Sequence, residues 1–76
     1  MISEESVKQC LKMIVANREK PALNYAVNYA RVGLSQTGYE LKVQCLYVLS
    51  NMQYWRGNTA KHVRSVLKEF TKEMSK

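Results

Sequence analysis

The side chains best placed to do chemistry are four cations near one end of the chain. Lys61, Arg64, Lys68 and Lys72 recur at steps of three and four residues, which puts them on one side of a helix. Such a row can track phosphates, each contact releasing a counterion, or meet an acidic protein surface. Arg56 lies just ahead of the row and extends the basic group. An ordinary solvated face explains the same pattern, and Glu69 and Glu73 beside the row dilute it. The net charge of +6 and a pI near 9.6 favour acidic partners. Half of the excess falls in residues 57–76, where five cations stand against two glutamates.

Aromatic residues form the second group. Tyr39, Val43, Leu46, Tyr47 and Tyr54 share an arc of one helix. Tyrosine anchors protein interfaces with little loss of side-chain entropy, so this arc is a candidate protein interface. It serves equally as the contact surface for another helix of the same chain.

Catalysis has little support. The six acidic residues are all Glu. Cys10 and Cys45 fall on apolar stripes, where a free thiol behaves as a small buried hydrophobe. A nucleophile built from Cys45 and His62 has no third group to orient it. With two cysteines lacking a CxxC spacing and His62 as the single histidine, a four-ligand zinc site would need carboxylates to complete it. No Gly-rich phosphate loop is present. The expectation is a non-enzymatic binding protein without cofactor or metal.

The elements that must hold these groups are helices. One Pro and three Gly in 76 residues favour a few long helices over many short strands, and periodicity at 100° per residue resolves four. The first is predicted over about 3–18. Ser3 is its N-cap, Glu4 and Glu5 suit the positive helix end, and Val7, Cys10, Leu11, Ile14 and Val15 form its apolar stripe. Pro21 disfavours helix at Lys20 and opens the second, over 21–32, which ends on Gly33 as a left-handed C′ residue. Asn24-Tyr25-Ala26 recurs as Asn28-Tyr29-Ala30, two turns of a helix whose narrow polar strip of Asn24, Asn28 and Arg31 predicts extensive burial.

Thr37 and Glu40 fit a capping box that starts a third helix over 38–55. Its main stripe is Leu41, Cys45, Val48, Leu49, Met52 and Trp55, with the tyrosine arc roughly opposite. A helix apolar on two sides is central in a bundle or covered by a partner. Asn58 or Thr59 caps a fourth over 60–74, with Ala60, Val63, Val66, Leu67, Phe70 and Met74 on one face. The fold expected is an all-α, compact, antiparallel four-helix bundle in one domain, with the second and third helices most buried. The Arg56-Gly57-Asn58-Thr59 turn also suits a helix–turn–helix, with the fourth helix reading DNA, although the third helix is long for that motif.

Met1 is followed by no apolar signal core. The most apolar stretch, Leu41–Leu49, is interrupted and too short to span a bilayer. A cytoplasmic protein without membrane contact is therefore expected. The stretch from Leu23 to Phe70, with Leu-Asn-Tyr-Ala, Glu-Leu-Lys-Val-Gln-Cys-Leu-Tyr-Val-Leu and Tyr-Trp-Arg-Gly, resembles small uncharacterised proteins carried by phages and mobile elements of Gram-positive bacteria. The resemblance implies a short accessory or regulatory protein inside a bacterial cell and assigns no site residues.

Two functions follow as expectations. One is a nucleic-acid-binding regulator acting through Arg56, Lys61, Arg64, Lys68 and Lys72. The other is a protein-interaction module, an adaptor or inhibitor, acting through the tyrosine arc. Because a core this small contributes only about 3–5 kcal/mol net, the second includes a homodimer.

Overall fold

In the computed structural model, which describes residues 2–72, Ser3 opens the first helix. Its Oγ accepts from the Ser6 N–H at 3.2 Å, and α1 runs Glu4–Ala16. It stops two residues short of the expected 18 because Asn17 caps it. The Asn17 Nδ2 donates to the Met13 carbonyl at 2.7 Å, and its N–H meets the same carbonyl at 3.1 Å. Lys20 is extended (φ −78°, ψ 123°), as a residue before proline prefers. Pro21 opens a single 3₁₀ turn, Pro21–Leu23, and α2 proper is Asn24–Gly33.

α2 differs from expectation in two ways. Gly33 is not a left-handed stop, since the positive-φ glycines are Gly38 and Gly57. A Cβ at Gly33 would sit 2.8 Å from the Cδ1 of Leu11 and 3.4 Å from the Cγ of Gln44, so this position is glycine because helices approach closely there. Ala26, Ala30 and Gly33 form the inward seam with Val27. With small residues inside, the bulky Tyr25 and Tyr29 are turned out, at 68% and 37% exposure, and α2 is half solvated rather than largely buried.

α3 spans Gly38–Ser50. The Thr37–Glu40 box does not form, as Thr37 makes no side-chain cap. The Gly38 N–H instead donates to the Glu4 Oε2 at 2.8 Å, tying the start of α1 to the start of α3. The helix ends five residues before the expected 55. There the Asn51 Nδ2 donates to the Tyr47 carbonyl at 2.8 Å, and the Ser50 Oγ to that of Leu46 at 3.0 Å. Residues 51–57 are turns that still bury Met52 and Trp55. α4, Asn58–Lys72, begins two residues earlier than expected. Its Lys61 N–H donates to the carbonyl of Gly57 (φ +114°) at 3.0 Å. Met74, expected on the apolar face, lies outside the described residues.

The four helices make an all-α bundle in which α1 packs on α2, α2 on α3, α3 on α4 and α4 on α1. Neighbours run antiparallel. The Lys42 Nζ near the start of α3 lies 4.4 Å from the Phe70 ring centroid and donates to the Phe70 carbonyl near the end of α4. Midway along α3, the Gln44 Nε2 reaches the Tyr29 carbonyl of α2 at 3.0 Å. The core draws on every helix: Leu11 and Ile14, Leu23 and Ala30, Leu41 and Val48, Val63 and Leu67 are all fully buried. No helix among the described residues is long and apolar enough to cross a membrane.

Candidate binding surfaces

The thiols belong to the core. Cys10 and Cys45 are 1% and 0% exposed. Burial raises the Cys10 thiol above its ordinary value. Burial, reinforced by the neighbouring Cys10, pushes Cys45 up to about 12, against a smaller lowering by Lys42. A thiol protonated at neutral pH is a poor nucleophile. His62 stands on the exposed side of α4 while Cys45 points inward, so the two do not form a catalytic pair. Among the described residues no group of three or more His, Cys, Asp or Glu is arranged to hold a metal.

The outer surface of α2 and α3 is built differently. Among the described residues every exposed large hydrophobic lies on α2, on α3 or in the turn after α3. From α3 come Tyr39 (70%), Leu46 (42%) and Tyr47 (51%), and Tyr54 (79%) stands in the turn. Val43 is half-buried between Tyr39 and Tyr47, one helical turn from each. From α2 come Tyr25, Tyr29 and Val32. The two helices share this surface: the Tyr29 and Tyr47 rings stack with centroids 5.6 Å apart, within the range of favourable aromatic pairs. Further along, Tyr25 and Tyr54 border one hollow of about 320 Å³ with Pro21 at its side. The arc read from α3 is thus half of a larger surface. The missing signal was in α2, where Ala26, Ala30 and Gly33 at i, i+4 and i+7 mark the packed side and leave the tyrosines outside.

The cations gather where α3 hands over to α4. A groove of about 630 Å³ runs between these helices. Its α3 wall is Leu46, Leu49, Ser50 and, from the turn, Gln53; facing it are Arg64 and Lys68 of α4, and Arg56 closes the end. A second hollow around Gly57 adds Lys61 to Arg56 and Arg64. Lys72 is exposed at the far end of α4 and lines neither. Arg64 also has an internal task. Its Nη2 donates to the Trp55 carbonyl at 2.8 Å and the Met52 carbonyl at 3.4 Å, fixing the 51–57 turn. That turn is seven residues long, longer than the three or four residues of a helix–turn–helix.

Comparison of the chain with protein-family models, with curated proteins and with solved structures finds no match.

Proposed function

We propose that this chain is a protein-interaction module that receives a partner protein on the outer face of α2 and α3. The observation that carries this reading is the segregation of exposed apolar side chains. Single exposed hydrophobics are normal on any protein. Seven on two adjacent helices and their turn, with none on α1 or α4 among the described residues, form the kind of surface that marks a contact site. Tyrosine also suits that role, since it carries a large rigid ring and a polar tip. No reactive group stands on this surface, so binding, as an adaptor or inhibitor, is its chemistry. A partner can be a second copy of the chain. The test is capture from bacterial lysate, with and without nuclease, by the native chain and by a Tyr25→Ser/Tyr47→Ser variant. A nuclease-resistant protein lost with the variant is the expected result. Capture that ignores both tyrosines overturns the reading.

A second reading, a nucleic-acid-binding regulator, is favoured by Arg56, Lys61, Arg64 and Lys68, which line two hollows that share Arg56 and Arg64 along α4. Its signature is affinity for generic duplex DNA that falls with salt, with a log–log slope of about −0.9 per phosphate neutralised. Lys61→Gln/Lys68→Gln makes that slope about two units shallower. Absence of DNA and RNA binding at low salt, where attraction is strongest, removes it.

A further inference from the structure

The groove between α3 and α4 differs in chemistry from the tyrosine face. Leu46, Leu49 and Ser50 stand at i, i+3 and i+4 of α3 along one wall, and Gln53 continues it from the turn, so the α3 part of the wall has the pitch of a helix and carries its two leucines. The opposite wall offers Arg64 and Lys68, one helical turn apart, and Arg56 closes the end. No carboxylate of the described residues lines it. The groove is therefore a trough with two leucines and two neutral polar side chains on one wall and cations on the other wall and at the end. Leu46 belongs both to this trough and to the exposed apolar surface next to it.

We infer that the α3–α4 groove receives an acidic amphipathic helix of a partner protein. The inference goes beyond the tyrosine-face reading: it places a second docking element beside that face, sharing Leu46 with it. Charge complementarity selects the occupant, because three cations without a facing carboxylate favour glutamate or aspartate. Groove shape selects its conformation. The walls are helical for most of their length, with Leu46, Leu49 and Ser50 on α3 and Arg64 and Lys68 on α4, so an extended peptide finds no sheet edge to pair with. A helix satisfies its own backbone and presents side chains at i, i+3, i+4 and i+7. Its leucines or phenylalanines then sit on Leu46 and Leu49, and its carboxylates reach Arg56, Arg64 and Lys68. A nucleic-acid backbone fits less well, since it would lay phosphates over the two leucines.

A randomised helical peptide library displayed on phage tests this directly against the intact protein. The expected winners carry large apolar residues at i, i+3 or i+4, and i+7, flanked by Glu or Asp, and bind more weakly as salt is raised. Arg56→Gln/Lys68→Gln should weaken them by about two- to thirtyfold, taking two exposed charge contacts together. Leu46→Ser should weaken them as well, whereas Tyr25→Ser/Tyr47→Ser should not. Arg64 is left in place because it also holds the turn. Three results overturn the inference: no recovered binder, winners without acidic enrichment, or winners indifferent to Arg56 and Lys68. Winners that depend on Tyr25 and Tyr47 alone remove the groove but leave the protein-interaction reading standing. A 20-base-pair duplex that binds at the same cations more tightly than any peptide assigns the groove to nucleic acid instead.

Discussion

α1 and α4 finish the bundle on one side, α2 and α3 on the other, and the two sides treat water differently. On α4 the division is clean: Ala60, Val63, Leu67 and Phe70 are buried, and Lys61, His62, Ser65 and Lys68 are exposed. α1 follows the same rule, with Val7, Cys10, Leu11 and Ile14 inside and Glu5, Gln9 and Lys12 outside. α2 and α3 bury an equally regular stripe, yet add a second set of apolar side chains that the fold leaves in water. The first set is what folding requires. The second lies outside the core, and in the proposed reading it serves contact with another molecule. Stability measurements can therefore separate the two sets, and the expected effects run from several kcal/mol down to almost nothing.

The largest contrast is between Leu67→Ala and Tyr47→Ser. Leu67 is fully buried, and deleting such a side chain costs about 2–5 kcal/mol, comparable with the whole net stability of a core this small. Loss of most of the helical circular dichroism at 25 °C is expected. Tyr47 is half exposed and gives up mainly its stack on Tyr29, worth about 0.5–1.5 kcal/mol, so urea unfolding should stay cooperative with a modestly lower midpoint. Equal losses from both changes would erase the distinction between the sets.

Next comes alkaline pH. The Cys45 thiol is held up to about 12 in the fold, from an ordinary value of 9.0. Its folded form keeps the proton, so its contribution is intact below pH 9 and declines as pH rises from 9 toward 12. The decline is about 1.4 kcal/mol per pH unit in that window. Tyrosine and lysine titrate there too, so the informative measurement is the difference between the native chain and Cys45→Ala. The alanine variant starts less stable but should lose less between pH 8.5 and 10.5. Parallel curves would mean that Cys45 ionises as easily folded as unfolded.

Gly33→Ala follows, with a net loss of up to about 2 kcal/mol. Alanine is intrinsically the better helix former by about 1 kcal/mol. Against that, the new Cβ meets the Leu11 Cδ1 at 2.8 Å. Leu11 is fully buried and has little room to move, and overpacking of this kind costs about 1–3 kcal/mol. A lower thermal midpoint is expected; a higher one would show that α1 and α2 are not in close contact at this point.

These residues also show what a sequence can and cannot disclose. α4 was legible because its apolar and charged faces do not compete. The end of α3 was not. Val48, Met52 and Trp55 continue a helical period, and turns that bury Met52 and Trp55 give the same inward pattern as a helix. Gly33 was ambiguous because a glycine that stops a helix and one that admits a neighbour look alike until the neighbour, Leu11, is in place. The Thr37–Glu40 box does not form, and the side-chain cap at this helix start comes from 34 residues away in sequence, from Glu4 onto the Gly38 N–H. Of the surface residues, the cations were visible as a row. The hold of Arg64 on the Met52 and Trp55 carbonyls, and the groove that Leu46 and Leu49 line together with Lys68, exist only after packing.

The smallest effects on stability are expected at Tyr25 and Tyr54. At 68% and 79% exposure they have little burial to lose, and serine has nearly the helix propensity of tyrosine at the start of α2. Each change to serine should move the unfolding free energy by less than about 0.5 kcal/mol, as surface substitutions generally do. The alternative is specific. Both tyrosines border the hollow beside Pro21, and in that alternative they act as lids over the core at that end of the bundle. Lids would cost well over 1 kcal/mol when removed, because the buried side chains beneath would meet water. The double variant, followed by urea unfolding and light scattering together, distinguishes the cases. Unchanged stability with weakened self-association or partner capture is what a contact surface gives; a large loss of stability in the monomer makes the tyrosines part of the fold and removes them from the interface.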